Sequence, residues 1–217
     1  MEYGISSRDY LLRARERLGE GTKQALFYAA FELRCGIESR MHQYLEVWDH
    51  ISKKKKEGWK IADLGRGVQQ AFRSGNEIAR LEVHDEKSQI LMAILYYTPV
   101  SPCLQKHGER LGSYLHSMKE FRKPDDLWWN YSREDLEIIA AQLEGANRGT
   151  LLGPPLVRKQ GGSAHIAMNI ELLPGSDATT VLRTLKASTR LLTFRVKYLE
   201  RLPVPLEPEA YVWNPSS

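Results

Sequence analysis

An arginine and a histidine bracket the segment Arg110-Leu-Gly-Ser-Tyr-Leu-His116, late in a stretch patterned as a helix. A guanidinium stays charged beside a phosphate at any working pH, and an imidazole exchanges protons near neutrality. Metal-free cleavage of a phosphodiester needs both: one group to stabilise charge developing on the phosphoryl oxygens, the other to move a proton. Tyr114, a turn from Arg110, is placed to orient the phosphate or to pack along an amphipathic face. On a straight helix the step from Arg110 to His116 turns through about 600°, so the side chains point about 120° apart with a rise of about 9 Å. They share a groove only if the helix is irregular or two copies of the chain face each other. Gly108 and Gly112 bear on this, because glycines four apart weaken a helix and admit a close neighbour. The structural alternative is a surface arginine and a histidine that only packs.

A second candidate is the run Lys53, Lys54, Lys55 and Lys56, followed by Trp59 and Lys60. Consecutive ammonium groups beside an aromatic ring suit a nucleic-acid backbone and a stacked base. The same run also suits a solvated loop past a helix C-terminus, where cations complement the helix dipole. Trp128-Trp129 serves either as a packing anchor or as part of a nucleic-acid surface. His42, Glu46 and His50 align at steps of four but show no fourth ligand, so no metal site and no cofactor are expected. Arg34 and Glu38 read as a helix-surface ion pair. Cys35 has no activating base in sequence, and Leu64-Gly-Arg-Gly67 lacks the context of a phosphate loop.

These residues must be held by helices. Ser6 with Asp9 forms a capping box before Tyr10-Leu11-Leu12, and Gly19 and Gly21 end that first helix. Thr22 caps a long second helix with Leu26, Ala30, Leu33, Ile37, Met41, Leu45 and Trp48 on one face, running to about position 51. A third helix is expected over 61–72. Alternation in 77–83 and the apolar run of 89–97 predict a β-hairpin with one exposed and one buried strand. Ser101-Pro102 opens the helix carrying Arg110, which Lys123-Pro124 ends. Ser132 with Asp135 is expected to cap a further helix that Gly145 closes. Gly and Pro from 145 to 162 mark the best boundary. Beyond it the pattern predicts a strand at 166–172, a short helix near 179–186, a strand at 192–198 and a proline-rich tail. The fold class is therefore α+β, mainly helical: residues 1–145 with the hairpin inserted at about 77–97, then a strand–helix–strand segment over 146–217.

This layout resembles the HEPN superfamily. The leading helix at Tyr10-Leu-Leu-Arg-Ala14, the long helix with Ala29-Ala-Phe-Glu-Leu-Arg34 and a later helix with Arg-x5-His carry the likeness, over roughly residues 6–145. Leu111 stands where the family often has a polar residue, and the hairpin and C-terminal strands lie outside its all-helical core. The resemblance implies a metal-independent endoribonuclease of a defence or toxin-like system. It implies a homodimer, RNA as substrate, an antitoxin or defence-complex protein as partner, and Arg110 and His116 as catalytic residues. In that setting Glu32 and Arg34 line the groove beside Arg110. A non-catalytic helical adaptor and a nucleic-acid-binding accessory subunit fit the same helices.

The bulk numbers agree with a folded protein. The chain has 217 residues, 42% hydrophobic and 27% charged, with a net charge of +4. That charge tolerates a polyanion without demanding one. Two distant cysteines, Cys35 and Cys103, give no disulfide framework and fit a reducing cytoplasm. No apolar stretch is long enough to span a bilayer, so no membrane partner is expected.

Overall fold

The computed structural model describes residues 4–58, 60–73, 75–115, 122–160, 163–173, 179, 182–183 and 191–203. The protein is α+β and mainly helical, with antiparallel sheets, and it divides into two compact units. The first comprises residues 1–75 and 100–147; the second comprises 76–99 and 148–217.

In the first unit, α1 (Ser7–Gly19) starts at the capping box. Ser6 Oγ accepts from Asp9 N at 3.2 Å, and Asp9 Oδ2 accepts from Ser6 N at 3.0 Å. Thr22 Oγ1 then accepts from Ala25 N at 3.2 Å and opens α2 (Lys23–Glu46). α2 stops short of the expected position 51, but Trp48 and Ile51 remain buried beyond its end. The lysine run, read as a break, forms a single helical turn, α3 (Lys53–Lys56). α4 (Ile61–Phe72) matches its predicted span and ends at Arg73, whose φ of 53° lies in the left-handed region.

α5 (Pro102–Leu111) is capped by Ser101, whose Oγ accepts from Leu104 N at 3.1 Å. It is shorter than expected and passes into a 3-10 turn, Gly112–Leu115. α6 (Trp128–Asn147) starts before the predicted Ser132 cap, because Asp126 Oδ1 takes the Trp128 N–H at 2.9 Å. Ser132 is instead buried inside the helix, and Gly145 lies within it rather than closing it.

Leu26, Leu33, Ile37 and Met41 of α2, Leu64 of α4, and Leu136, Ile139 and Leu143 of α6 form the core of this unit. Arg40 is buried with them at 0% exposure. Its Nε donates to Tyr44 Oη at 2.9 Å and to the Ala146 carbonyl at 3.2 Å, in the last turn of α6. That is the negative pole of a helix, where a cation is favoured.

In the second unit, β1 (Ile78–Asp85) and β2 (Leu91–Tyr97) form the expected hairpin. β5 (Leu192–Leu199) pairs antiparallel with β1 along its whole length, giving the order β2-β1-β5. The hairpin thus interrupts the helical unit in sequence but shares its sheet with the C-terminal strand. Val83, Met92 and Ala93 are buried against Leu192 and Phe194. Contrary to expectation, β1 is not an exposed strand: Glu82 and His84 are buried on it. Glu82 Oε1 accepts from Lys197 Nζ at 2.8 Å and from Arg80 Nη1, while its Oε2 lies 3.3 Å from His84 Nε2. Those partners replace the water that the alternation assigned to this face. β3 (Leu156–Gln160), inside the region expected to be a boundary, pairs with β4 (Ser163–Ala167) in a separate two-stranded sheet, and β4 only overlaps the start of the strand expected at 166–172. Most of the helix predicted near 179–186 and nearly all of the tail lie outside the described residues.

Candidate functional site

Packing of α5 decides which of its residues reach solvent. Leu104, Gly108 and Leu111 are buried along one face. A Cβ on Gly108 would lie 2.6 Å from Ile61 Cδ1 and 3.2 Å from Ile37 Cδ1, so that glycine lets α5 press onto α2 and α4. The opposite face carries His107 and Arg110, one turn apart. The glycine pair therefore serves a contact within this chain: Gly112 lies where a Cβ would come 3.1 Å from Arg34 Nη1.

The Arg110 side chain is 53% exposed. Its Nη2 donates to Asp135 Oδ2 at 2.6 Å, to Asp135 Oδ1, and to His107 Nδ1 at 2.8 Å. A guanidinium has no lone pair to offer, so Nδ1 of His107 must be the acceptor and the ring carries its proton on Nε2. Among the described residues all of Arg110's side-chain bonds pass through Nη2, and none of those residues takes Nη1 or Nε. Asp135 comes from the second turn of α6, where it was read as a helix cap. Its carboxylate orients the guanidinium across a gap between helices.

This cluster differs from the pair expected from sequence. Arg110 is where an anion can reach it, but the imidazole beside it is His107. His116 lies outside the described residues. Tyr114 is half-buried in an aromatic cluster, with its ring centroid 6.3 Å from Phe27 and 5.8 Å from Trp128. A local signal for His107 existed: it is the i−3 neighbour of Arg110, which a helix places on the same face.

The lysine run stands in solvent. Lys53, Lys54, Lys55 and Lys60 are exposed; Lys53 pairs with Glu57 at 3.5 Å, and Lys56 Nζ donates to the Glu46 carbonyl at 2.8 Å, closing the end of α2. Trp59 lies outside the described residues. Arg34 pairs with Glu38 at 3.0 Å and also donates to the Gly108 carbonyl at 3.2 Å. Burial holds the Glu38 carboxyl above its usual range, with Arg34 opposing the shift. Glu32 pairs with Arg13 at 2.9 Å. Burial, with help from Glu38 and Glu32, pushes the Cys35 thiol up to about 11, so it is no thiolate nucleophile at neutral pH. Among the described residues no three His, Cys, Asp or Glu side chains are grouped to hold a metal ion. No described helix is long and apolar enough to cross a membrane.

Comparison of the chain with family models, with curated proteins and with solved structures gave no match.

Proposed function

We propose that this protein is a metal-independent endoribonuclease with a HEPN-like helical core, acting in the cytoplasm on single-stranded RNA. The observation that carries the reading is the exposed Arg110 guanidinium within hydrogen-bond reach of His107, with Asp135 behind it. An incoming phosphate binds Nη1 and Nε of Arg110, and His107 turns its Nδ1 from Nη2 to the substrate as a proton acceptor. The RNA 2′-hydroxyl gives its proton to an imidazole, the 2′-oxygen bonds to phosphorus, and the bond from phosphorus to the 5′-oxygen breaks. The departing 5′-oxygen takes a proton, leaving a 2′,3′-cyclic phosphate and a 5′-hydroxyl. Arg110 stabilises the charge on the phosphoryl oxygens throughout. His107 takes the proton-transfer role next to Arg110, and His116 of the same chain or of a second copy supplies the other imidazole. A homodimer in a defence or toxin–antitoxin setting follows from the same reading.

The test is incubation of the purified protein with single-stranded RNA in excess chelator, followed by analysis of product ends. Cyclic phosphate ends that vanish in both His107→Ala and His116→Ala support the assignment. Absence of cleavage by wild type, alone and with its natural partner, overturns it. A second reading, a non-catalytic helical adaptor, requires that Tyr28, Leu127 and Tyr131, each more than 60% exposed, belong to a partner-binding surface. Under that reading Arg110→Ala changes no RNA-directed activity.

A further inference from the structure

We propose that the cleft between the α1–α2 turn and the start of α6 seats one unpaired nucleotide of the RNA, with its base beside Trp129 and its phosphate between Lys23 and Arg133. The proposal rests on the nuclease reading and names where its substrate is held.

The cleft encloses about 210 Å³ and is lined by Lys23, Asp125, Trp129 and Arg133 among others. Lys23 Nζ lies 5.0 Å from the Trp129 ring centroid and donates to the Pro124 carbonyl. Arg133 Nη1 donates to the Leu18 carbonyl at 2.7 Å. Among the described residues both cations are thus positioned by neutral carbonyls and not by carboxylates. Their charge remains available to a phosphate. The N-terminus of α2, at Thr22, adds its positive pole to the same cleft.

The indole is fixed in place. Trp129 Nε1 donates to the Lys123 carbonyl at 2.9 Å, and Trp128 and Phe27 brace the ring edge-on at 4.9 and 6.1 Å. Lys23 Nζ lies over one face of this ring, so a base that stacks there takes the ammonium's place and leaves it to the phosphate; every base has a π-face. Asp126 is occupied at the helix cap. Asp125 stands exposed at the rim, where its carboxylate accepts from an exocyclic amine of cytosine, adenine or guanine. Uracil has no such amine.

Under the proposal the strand continues from the cleft toward Arg110. From Trp129 the rings continue through Trp128 to Tyr114, at 4.9 and 5.8 Å, and Tyr114 sits one turn past Arg110. A single strand with its scissile phosphate at Arg110 passes along this aromatic path.

The test follows the Trp129 Nε1–H resonance of the full chain by NMR, assigned with Trp129→Phe, during titration with cytidine 5′-monophosphate, uridine 5′-monophosphate or inorganic phosphate. Cytidine monophosphate is expected to move the resonance at about fivefold lower concentration than either other probe. Lys23→Ser, which removes the ammonium from the proposed phosphate seat, is expected to raise the KM for RNA cleavage about fivefold, with the loss carried by KM rather than by kcat. No nucleotide response at Trp129, or equal response to inorganic phosphate, overturns the proposal. RNA cleavage with an indifferent Trp129 removes the cleft and leaves the nuclease reading. A responsive Trp129 without cleavage keeps the nucleotide site and removes the nuclease reading.

Discussion

Two clusters in this molecule each combine an arginine, a histidine and a carboxylate, the sheet cluster adding a lysine, and arrange them in opposite ways. In the sheet, Arg80, Lys197 and His84 surround Glu82, so the carboxylate is the hub and is 5% exposed. On the helices, Arg110 is the hub, shared between Asp135 and His107, and it stands half in solvent. A buried carboxylate must be fully partnered, because an unmet charge in the interior is costly. An exposed guanidinium bears no such requirement and keeps donors for an incoming anion. The same triad of types therefore serves the fold in one place and fits phosphate chemistry in the other; burial and the identity of the hub separate them.

The largest effect that would sharpen this contrast lies in the sheet. Glu82→Gln leaves Arg80, Lys197 and His84 without their shared anion and should lower unfolding stability by about 3 kcal/mol, measured by denaturant titration. The Lys197 hydrogen bond, then His84 and Arg80, hold the Glu82 carboxyl below its usual range. Its stabilisation is therefore present above the ordinary glutamate value and lost as pH falls below it. Stability of wild type should decline from about pH 5 downward, and Glu82→Gln should flatten that acid limb. A variant as stable as wild type would remove the distinction between the clusters.

The helical cluster should respond in activity rather than in folding. His107→Ala is expected to slow RNA cleavage by about 100-fold or more while leaving the thermal midpoint nearly unchanged. Asp135→Asn withdraws the negative charge from Arg110 and should tighten binding of a non-cleavable RNA by about threefold, at a stability cost below about 1 kcal/mol. Weaker binding in that variant would mean that Asp135 is needed to aim the guanidinium. The smallest effect concerns the lysine run. Replacing Lys53 to Lys56 by serine should lower the salt slope of RNA affinity by about 0.7 for each lysine in contact with the strand. An unchanged slope would assign the run to solvation.

Local signals carried most of the helical unit. Ser6 with Asp9, Thr22, and Ser101-Pro102 each act within one turn, so their caps were readable before any tertiary contact was known. Asp135 shows where this fails: its spacing from Ser132 copies a capping box, but Asp126 captures the helix start and Asp135 turns to Arg110. Arg40 has the type of a surface residue, and its burial rests on Tyr44 and Gln43 of its own helix together with the end of α6. The pairing of β5 with β1 joins segments far apart in the chain, and no short-range pattern announces it. For the site, Arg110 was legible from type and position. His107 was hidden because an i−3 spacing to an arginine is common on helix surfaces, so by itself the residue reads as an ordinary surface or core histidine. Asp135 was hidden because its partner lies on another helix.

The central claim is that Arg110 is held ready for an anion and is not a packing element. Arg110→Ala tests it when cleavage rate and unfolding free energy are measured on one preparation. The account predicts cleavage reduced by about 100-fold or more with stability changed by less than about 1 kcal/mol. Undiminished cleavage, or a loss of stability above about 2 kcal/mol that accounts for the loss of rate, would contradict it.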